Sequence, residues 1–336
     1  MINKINRKNL KILTFFLLLL FSLQTNSFSN AHVPEFNNWL INFKKTAVEK
    51  GISNETVNMA FKNVKFLDQV IKYDRQQPEF FEDTITYIKK RATPSRVKNA
   101  LKLLKKNENL FNEIENKYNV EKEILLSLWA VETNFGKHVG KMDIISCLAT
   151  LSFDKRRSEF FSKQLLTLLT LIDKKIIYPE ELFGSWAGAY GNFQFMPSTI
   201  SNYAIDYDKN NKIELKSSLP DSLASAANYI NQIGWKKGEP CFAQVNLTKE
   251  IHESNLNKSA RNIKNKKKIS SWIKMGVKNI NDTDLEGNYK SALITPDGYD
   301  KGPKYLVFNN YEKILQWNRS LRFGITVCTL AEKIRS

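Results

Sequence analysis

Between positions 125 and 135 the chain is apolar almost all round. Leu125, Leu126, Leu128, Trp129, Ala130, Val131 and Phe135 leave only Ser127, Glu132, Thr133 and Asn134 as polar positions. A helix without a polar face belongs in a core. Gly136 follows as its expected C-terminal cap, because glycine takes the left-handed conformation at no steric cost. Apolar residues recur at helical spacing elsewhere too. They predict helices over 36–49 (Trp39, Leu40, Phe43, Ala47), 54–66, 84–90, 94–118, 144–151, 159–174, 222–233 and 311–335. The stretch from Tyr73 to Glu79 interrupts this pattern, since Pro78 disfavours helix in the residue before it. Between about 238 and 310 the pattern shortens: 242–247, 291–295 and 305–308 read as strands separated by turns such as Pro296-Asp297-Gly298. The expectation is a mainly α (α+β) protein with a small β-containing insertion.

The first residues stand apart. Lys4, Arg7, Lys8 and Lys11 precede the apolar run 12–23, and Ser29-Asn30-Ala31 supplies a small-x-small pattern. Residues 1–31 therefore read as a secretory signal peptide, cleaved after Ala31; an uncleaved signal acting as a membrane anchor is the lesser alternative. No cysteine follows the run, which argues against a lipid anchor there. The chain of 336 residues can bury a large core, and its formal charge is +17, or +13 once those four cations are removed. Such an excess favours an anionic partner. An exported protein rarely meets nucleic acid, which leaves wall carboxylates or a membrane surface. The densest basic run, Arg261 to Lys268, reads as a solvated face. Three cysteines (Cys147, Cys241, Cys328) allow at most one disulfide, and Cys147 and Cys328 lie in apolar helical stretches where a buried free thiol is ordinary. No pair has metal-ligand spacing, which argues against zinc.

Two stretches carry chemistry. Glu132 closes the apolar helix, where burial and the helix C-terminus both disfavour an anion, so its pKa is expected to rise towards neutrality. An outward-turned, solvated Glu is the plainer alternative. The run Gly184-Ser185-Trp186-Ala187-Gly188-Ala189-Tyr190-Gly191-Asn192-Phe193-Gln194-Phe195-Met196-Pro197 sets glycines among aromatic rings. Such a backbone can approach a ligand closely and line it with flat faces suited to sugars. It would equally suit a tight loop packed on a core.

Glu-Thr-Asn-Phe-Gly at 132–136, Ala-Thr-Leu-Ser-Phe at 149–153, Arg156-Arg157, Gly-Ser-Trp-Ala-Gly-Ala-Tyr-Gly at 184–191 and Gln-Phe-Met-Pro-Ser at 194–198 occur in order. This set resembles the membrane-bound lytic murein transglycosylase B family, enzymes that cleave bacterial cell-wall glycan without using water. The resemblance runs from about Phe36 to near the C-terminus. It implies a lysozyme-like helical core with extra N-terminal helices, a catalytic region over 32–336, a periplasmic location and peptidoglycan strands as partner. It also implies a monomer, peripheral or signal-anchored membrane association, and Glu132 as the single general acid/base. A hydrolytic glycosidase uses two carboxylates; here the substrate's own 6-hydroxyl would be the nucleophile. Asp143 and Asp154 are the nearest alternative carboxylates in sequence.

By the same resemblance Ser185 stands beside the Glu, and Gln194 with Phe195 lines the groove. Tyr87 and Tyr229 match groove tyrosines, and at least one of Arg156 and Arg157 reaches the groove. The link Phe153-Asp154-Lys155 is one residue shorter than the family's usual form, which bears on where those arginines fall. Asn318 would orient the substrate acetamido group or the Glu. Trp317 and Phe323 stand where tyrosines are more usual, so stacking is expected to survive and hydroxyl hydrogen bonds to be lost.

Asp206, Asp208 and Asn210 occupy positions 1, 3 and 5 of a calcium-type loop, with Lys212 contributing only its carbonyl. Position 12 is Ser217 rather than Glu, and Asn211 replaces the usual turn glycine. The residues alone make an ordinary polar turn. The resemblance implies a weak structural calcium site completed by Asp221, and no other cofactor. Two further readings stay open: a water-using muramidase, and a non-catalytic peptidoglycan-binding scaffold, which would not need Glu132.

Overall fold

Helix α7 (Lys122–Thr133) is the centre of the molecule, with Ile124 to Ala130 and Thr133 all buried. The computed structural model describes residues 32–76, 81–179 and 182–336; the expected signal peptide lies outside them. Among the described residues six helices precede α7: α1 (His32–Glu49), α2 (Asn54–Ala60), α3 (Asp68–Arg75), α4 (Thr84–Arg91), α5 (Pro94–Lys106) and α6 (Glu108–Tyr118). After it come β1 (Met142–Asp143), α8 (Ile144–Phe153), α9 (Ser158–Asp173), β2 (Phe183–Gly184), α10 (Pro197–Tyr203) and α11 (Leu219–Gln232). The chain closes with α13 (Asn309–Trp317) and α14 (Leu321–Arg335), and α14, α5, α6 and α11 pack around α7. None of the described helices is long and apolar enough to cross a membrane.

Three predicted helices are shorter or broken. The second ends at Ala60 because the next residues fold back: Phe66 packs on Phe36 and Phe153. Lys65 and Leu67 amides donate to Ser146 Oγ and Thr150 Oγ1 of α8 at 3.0 and 3.1 Å. The stretch 94–118 divides at Asn107, whose side-chain amide donates to the Leu103 carbonyl, an alternative to the helix ladder. The stretch 311–335 divides at Asn318, which is extended, before Ser320 caps α14 by accepting from the Phe323 amide. That break sets Trp317 at the end of α13.

The insertion is a sheet in the order β4 (Leu256–Asn257), β7 (Lys290–Ile294), β8 (Lys304–Val307), β3 (Phe242–Leu247), β6 (Val277–Asn279), with β5 (Lys267–Lys268) paired to β7. Side chains alternate along a strand. Ala292, Ile294, Tyr305 and Val307 thus join the helical core, while Leu293 and Leu306 meet Trp272 and Ile269 of α12 (Ile269–Lys274) in a second core. Asp297 fixes the sheet to the helices: it accepts from the Thr84 amide and hydroxyl at the start of α4 and pairs with Arg322 at 2.7 Å.

A disulfide joins Cys241, just before β3, to Cys328 of α14. Cys328 is therefore not the free thiol its apolar helix suggested; pairing depends on the fold bringing the two Cα atoms to 6.1 Å. Cys147 is free and buried, and burial pushes its thiol up to about 12. The basic run 261–268 is largely exposed, with Lys266 paired to Glu312 at 2.5 Å.

Candidate active site

Helix α7 ends two residues earlier than its glycine suggests. Asn134 is the left-handed cap at φ 50°, followed by Phe135 at 61° and Gly136 at 81°. Gly136 is needed for closeness instead, since a Cβ there would lie 2.6 Å from Asn192 Oδ1. The tight reversal leaves Glu132 half-buried in the last turn of the helix.

The glycine–aromatic loop is stitched to this helix end. β2 pairs with β1, and Tyr190 and Phe195 form an antiparallel bridge around the turn at Gly191. Asn192, inside that turn, accepts the Trp129 indole N–H at Oδ1 and donates from Nδ2 to the Lys216 carbonyl and Ser222 Oγ. Its own carbonyl accepts the Thr133 hydroxyl at 2.7 Å, and Thr133 in turn accepts the Gly136 amide. Buried polar groups satisfied this fully hold one geometry.

Above the loop lies a chain of rings. Trp317 stacks on Tyr229 at 5.1 Å and 26°, and Tyr229 stacks on Tyr203 at 4.5 Å and 25°. Phe195 and Phe193 meet Trp317 from the loop side, and Phe193 lies against Trp129. The Trp317 indole N–H donates to Glu132 Oε1 at 2.9 Å. This corrects the expectation that a tryptophan at this position loses the hydrogen bond: the indole supplies a donor of its own. Tyr229 donates to the Gln316 carbonyl at 3.1 Å, and burial, then Tyr203, pushes its hydroxyl up to about 12. It stays a neutral donor.

The remaining expected residues divide. Gln194, at φ 50°, donates to the Val139 and Gly191 carbonyls and so ties the loop together. Ser185 Oγ accepts the Ala187 and Ala189 amides within its own turn. Phe195 is buried under Trp317, and Asn318 is half-buried next to it. Tyr87 is only 5% exposed, with the Arg91 guanidinium 3.6 Å from its ring centre, so little of it is left to line a groove. Phe323 is likewise buried in the helical core rather than presented for stacking.

Arg156 and Arg157 both engage Asp74 of α3, Arg156 through Nε at 2.7 Å. A carboxylate buried this fully demands a paired cation, and both arginines, each still partly exposed, supply it. The alternative carboxylates are also committed. Asp143 caps α8 by accepting the Ile145 and Ser146 amides, and Asp154 pairs with Arg75 at 2.9 Å.

In the polar turn, Asp206, Asp208 and Asp221 bring carboxylate oxygens within 4.8 Å of one another. Asn211 takes φ 67°, the conformation a glycine would otherwise supply. Asp206 accepts the Asn210 and Asn211 amides, and Asn210 Oδ1 accepts the Lys212 amide. Asp221 is fully buried and accepts the Tyr207 and Glu214 amides, and burial raises its carboxyl pKa.

Sequence reasoning assigned no role to Asn192, Thr133 or Tyr203. Asn192 sits inside the quoted glycine–aromatic run, and a lone amide between Gly191 and Phe193 was the available signal. Tyr203 carried none, since its partner Tyr229 is on another helix.

The transglycosylase SLT domain family matches residues 35–332. Membrane-bound lytic murein transglycosylase B of Escherichia coli (strain K12) is 29% identical over 317 residues, which is 91% of this chain and 83% of that protein. SltB3 from Pseudomonas aeruginosa, solved in complex with NAG-NAM-pentapeptide and with NAG-anhNAM-pentapeptide, superposes with a TM-score of 0.81 at 32% identity, covering 90% of this chain and 80% of that one. The Escherichia coli lytic transglycosylase Slt35 in complex with calcium superposes with a TM-score of 0.74 at 30% identity, covering 88% and 92%.

Proposed function

This chain belongs to the transglycosylase SLT domain family, whose members act on peptidoglycan, and from that premise we propose how its residues perform the reaction. The bond cut is the β-1,4 link between N-acetylmuramic acid and N-acetylglucosamine. Glu132 protonates the bridging oxygen, and the C1–O4 bond breaks with the neighbouring N-acetyl oxygen sharing the charge on C1. Glu132, now a carboxylate, takes the proton of the muramyl 6-hydroxyl, and that oxygen bonds to C1. The product is 1,6-anhydromuramic acid, no water is consumed, and Glu132 ends protonated as it began.

One observation carries this reading. Asp143 and Asp154, the carboxylates that would serve a two-carboxylate hydrolase, are a helix cap and an ion-pair partner. Glu132 stands at the joint of helix end, loop and ring stack. The stack of Trp317, Tyr229 and Tyr203 suits a sugar face, and Asn318 and Gln194 suit its amide groups. The SltB3 complexes with muropeptides support the same substrate for this chain.

Calcium fits the polar turn. Asp206, Asp208 and Asp221 would hold it with Asn210 and the Lys212 carbonyl, and it would offset the mutual repulsion of three carboxylates. Its part is structural. The Slt35 complex with calcium supports this assignment. A periplasmic location, with the protein monomeric and peripheral or signal-anchored at the membrane, accords with the expected signal peptide, the Cys241–Cys328 disulfide and the membrane-bound relative.

The test is release of soluble fragments from purified peptidoglycan by the wild type and Glu132→Gln. Loss of the acid/base is expected to slow release by about a hundredfold or more. Near-normal release by the variant would overturn the assignment.

A further inference from the structure

We propose that Trp317 is a positioning residue for Glu132, one that assigns the two carboxyl oxygens different tasks; this rests on the reading of Glu132 as acid/base. An indole N–H only donates. Oε1, 2.9 Å from Trp317 Nε1, is therefore held as an acceptor, and the transferable proton resides on Oε2. A phenol at the same place would donate or accept and would impose no such division.

The geometry explains why the donor stays on target. Tyr229 stacks on one side of the indole, while Phe195 and Phe193 tilt against it from the loop. Tyr229 also bonds the Gln316 carbonyl, so the backbone next to Trp317 is tied to α11. The break between α13 and α14 follows at once, with the backbone extended at Asn318. Ring plane and backbone are both constrained, and the N–H needs no reorganisation during reaction.

The energetic consequence concerns the transition state. As Glu132 gives up its proton, negative charge grows on its carboxyl, and a hydrogen bond to a charged acceptor is stronger than one to a neutral acceptor. The Trp317 bond thus tightens as the glycosidic oxygen is protonated. Interactions that strengthen on the way to the transition state are those that raise kcat. Losing the bond would remove a stabilisation that the carboxylate receives more strongly than the neutral acid.

Two replacements isolate the donor. Trp317→Phe keeps an aromatic ring in the stack. Substituting benzothienylalanine at 317 keeps the two-ring shape with sulfur in place of N–H, and serves if the Phe variant folds poorly. Each is assayed for kcat, KM and the pH profile of kcat/KM on defined glycan strands, with Glu132→Gln alongside. The expected result is a fall in kcat of about tenfold, KM changed less than about twofold, and the alkaline limb moved upward. A fall in kcat with an unmoved limb would make Trp317 merely structural. A rise in KM alone would make it a substrate contact, and unchanged kinetics would give it no role. Each of these three overturns the proposal while Glu132→Gln remains inactive; an active Glu132→Gln instead overturns the underlying reading.

Discussion

Asn192 Oδ1 accepts the indole N–H of Trp129 at 3.2 Å, so a loop residue and a buried residue of the central helix are locked together next to Glu132. The amide of Asn192 completes the link to Lys216 and Ser222. Asn192→Ala leaves the Trp129 N–H and the Ser222 hydroxyl short of a partner. The expected loss of stability is about 3 kcal/mol, measured by urea denaturation. The helix end and loop would separate slightly, and displacements of about 1 Å at a reacting group cost about a hundredfold in rate. Activity falling no further than folded fraction would show the link to be purely structural.

Cys241–Cys328 closes a loop of 87 residues and binds the sheet to α14. Removing it by Cys241→Ser with Cys328→Ser should cost about 2–5 kcal/mol and lower the melting temperature. Cys147 should resist alkylation in the native protein, because burial holds its thiol at about 12 and covers it. Thermal melting of the double variant checks the first statement, and mass spectrometry after iodoacetamide treatment, native against denatured, checks the second.

Calcium should raise the melting temperature. At a hundred times its dissociation constant, an ion bound only by the folded state adds about 2.7 kcal/mol. Asp208→Asn should abolish the shift with little change in the calcium-free protein, since Asp208 is exposed. Asp221 is the poorer choice, because its buried carboxyl also caps two backbone amides. A calcium shift that survives Asp208→Asn would place the ion elsewhere.

Much of this was legible because burial leaves a periodic trace. The apolar run around Trp129 reads as a buried helix with or without tertiary knowledge, and β3 occupies the predicted 242–247. The breaks at Ala60, Asn107 and Asn318 were not legible, since apolar spacing continues through each. Contacts from distant elements end those helices, Ser146 and Thr150 for the first. Arginine pairing was hidden for the same reason, as Asp74 lies some eighty positions from Arg156 and Arg157. At the site, sequence showed Glu132 and an aromatic at 317. Only ring orientation reveals the hydrogen bond between them.

Glu332 of α14 lies exposed at the rim of the groove between α4 and the sheet, and partial desolvation there raises its carboxyl pKa, with Arg335 partly opposing. The sign follows from the folded value lying above the unfolded one. Well below pH 4.5 the group is protonated in both states and costs nothing; from about pH 4.5 up to the folded value the unfolded chain ionises first and stability falls, and above the folded value the loss is constant. Glu332→Gln should therefore melt higher than the wild type at pH 7 and match it at pH 4. Equal melting temperatures at both values would contradict the desolvated placement.

The central claim is that the chain cuts glycan with one carboxylate and no water. Mass spectrometry of the muropeptides released from purified peptidoglycan by the mature protein tests it directly. Products ending in 1,6-anhydromuramic acid, one water lighter than hydrolysis products, are the result this account requires, and Glu132→Gln should release them at least about a hundredfold more slowly. Reducing-end products would contradict it, making water the nucleophile and requiring a second carboxylate that Asp143 and Asp154, held as they are, do not supply.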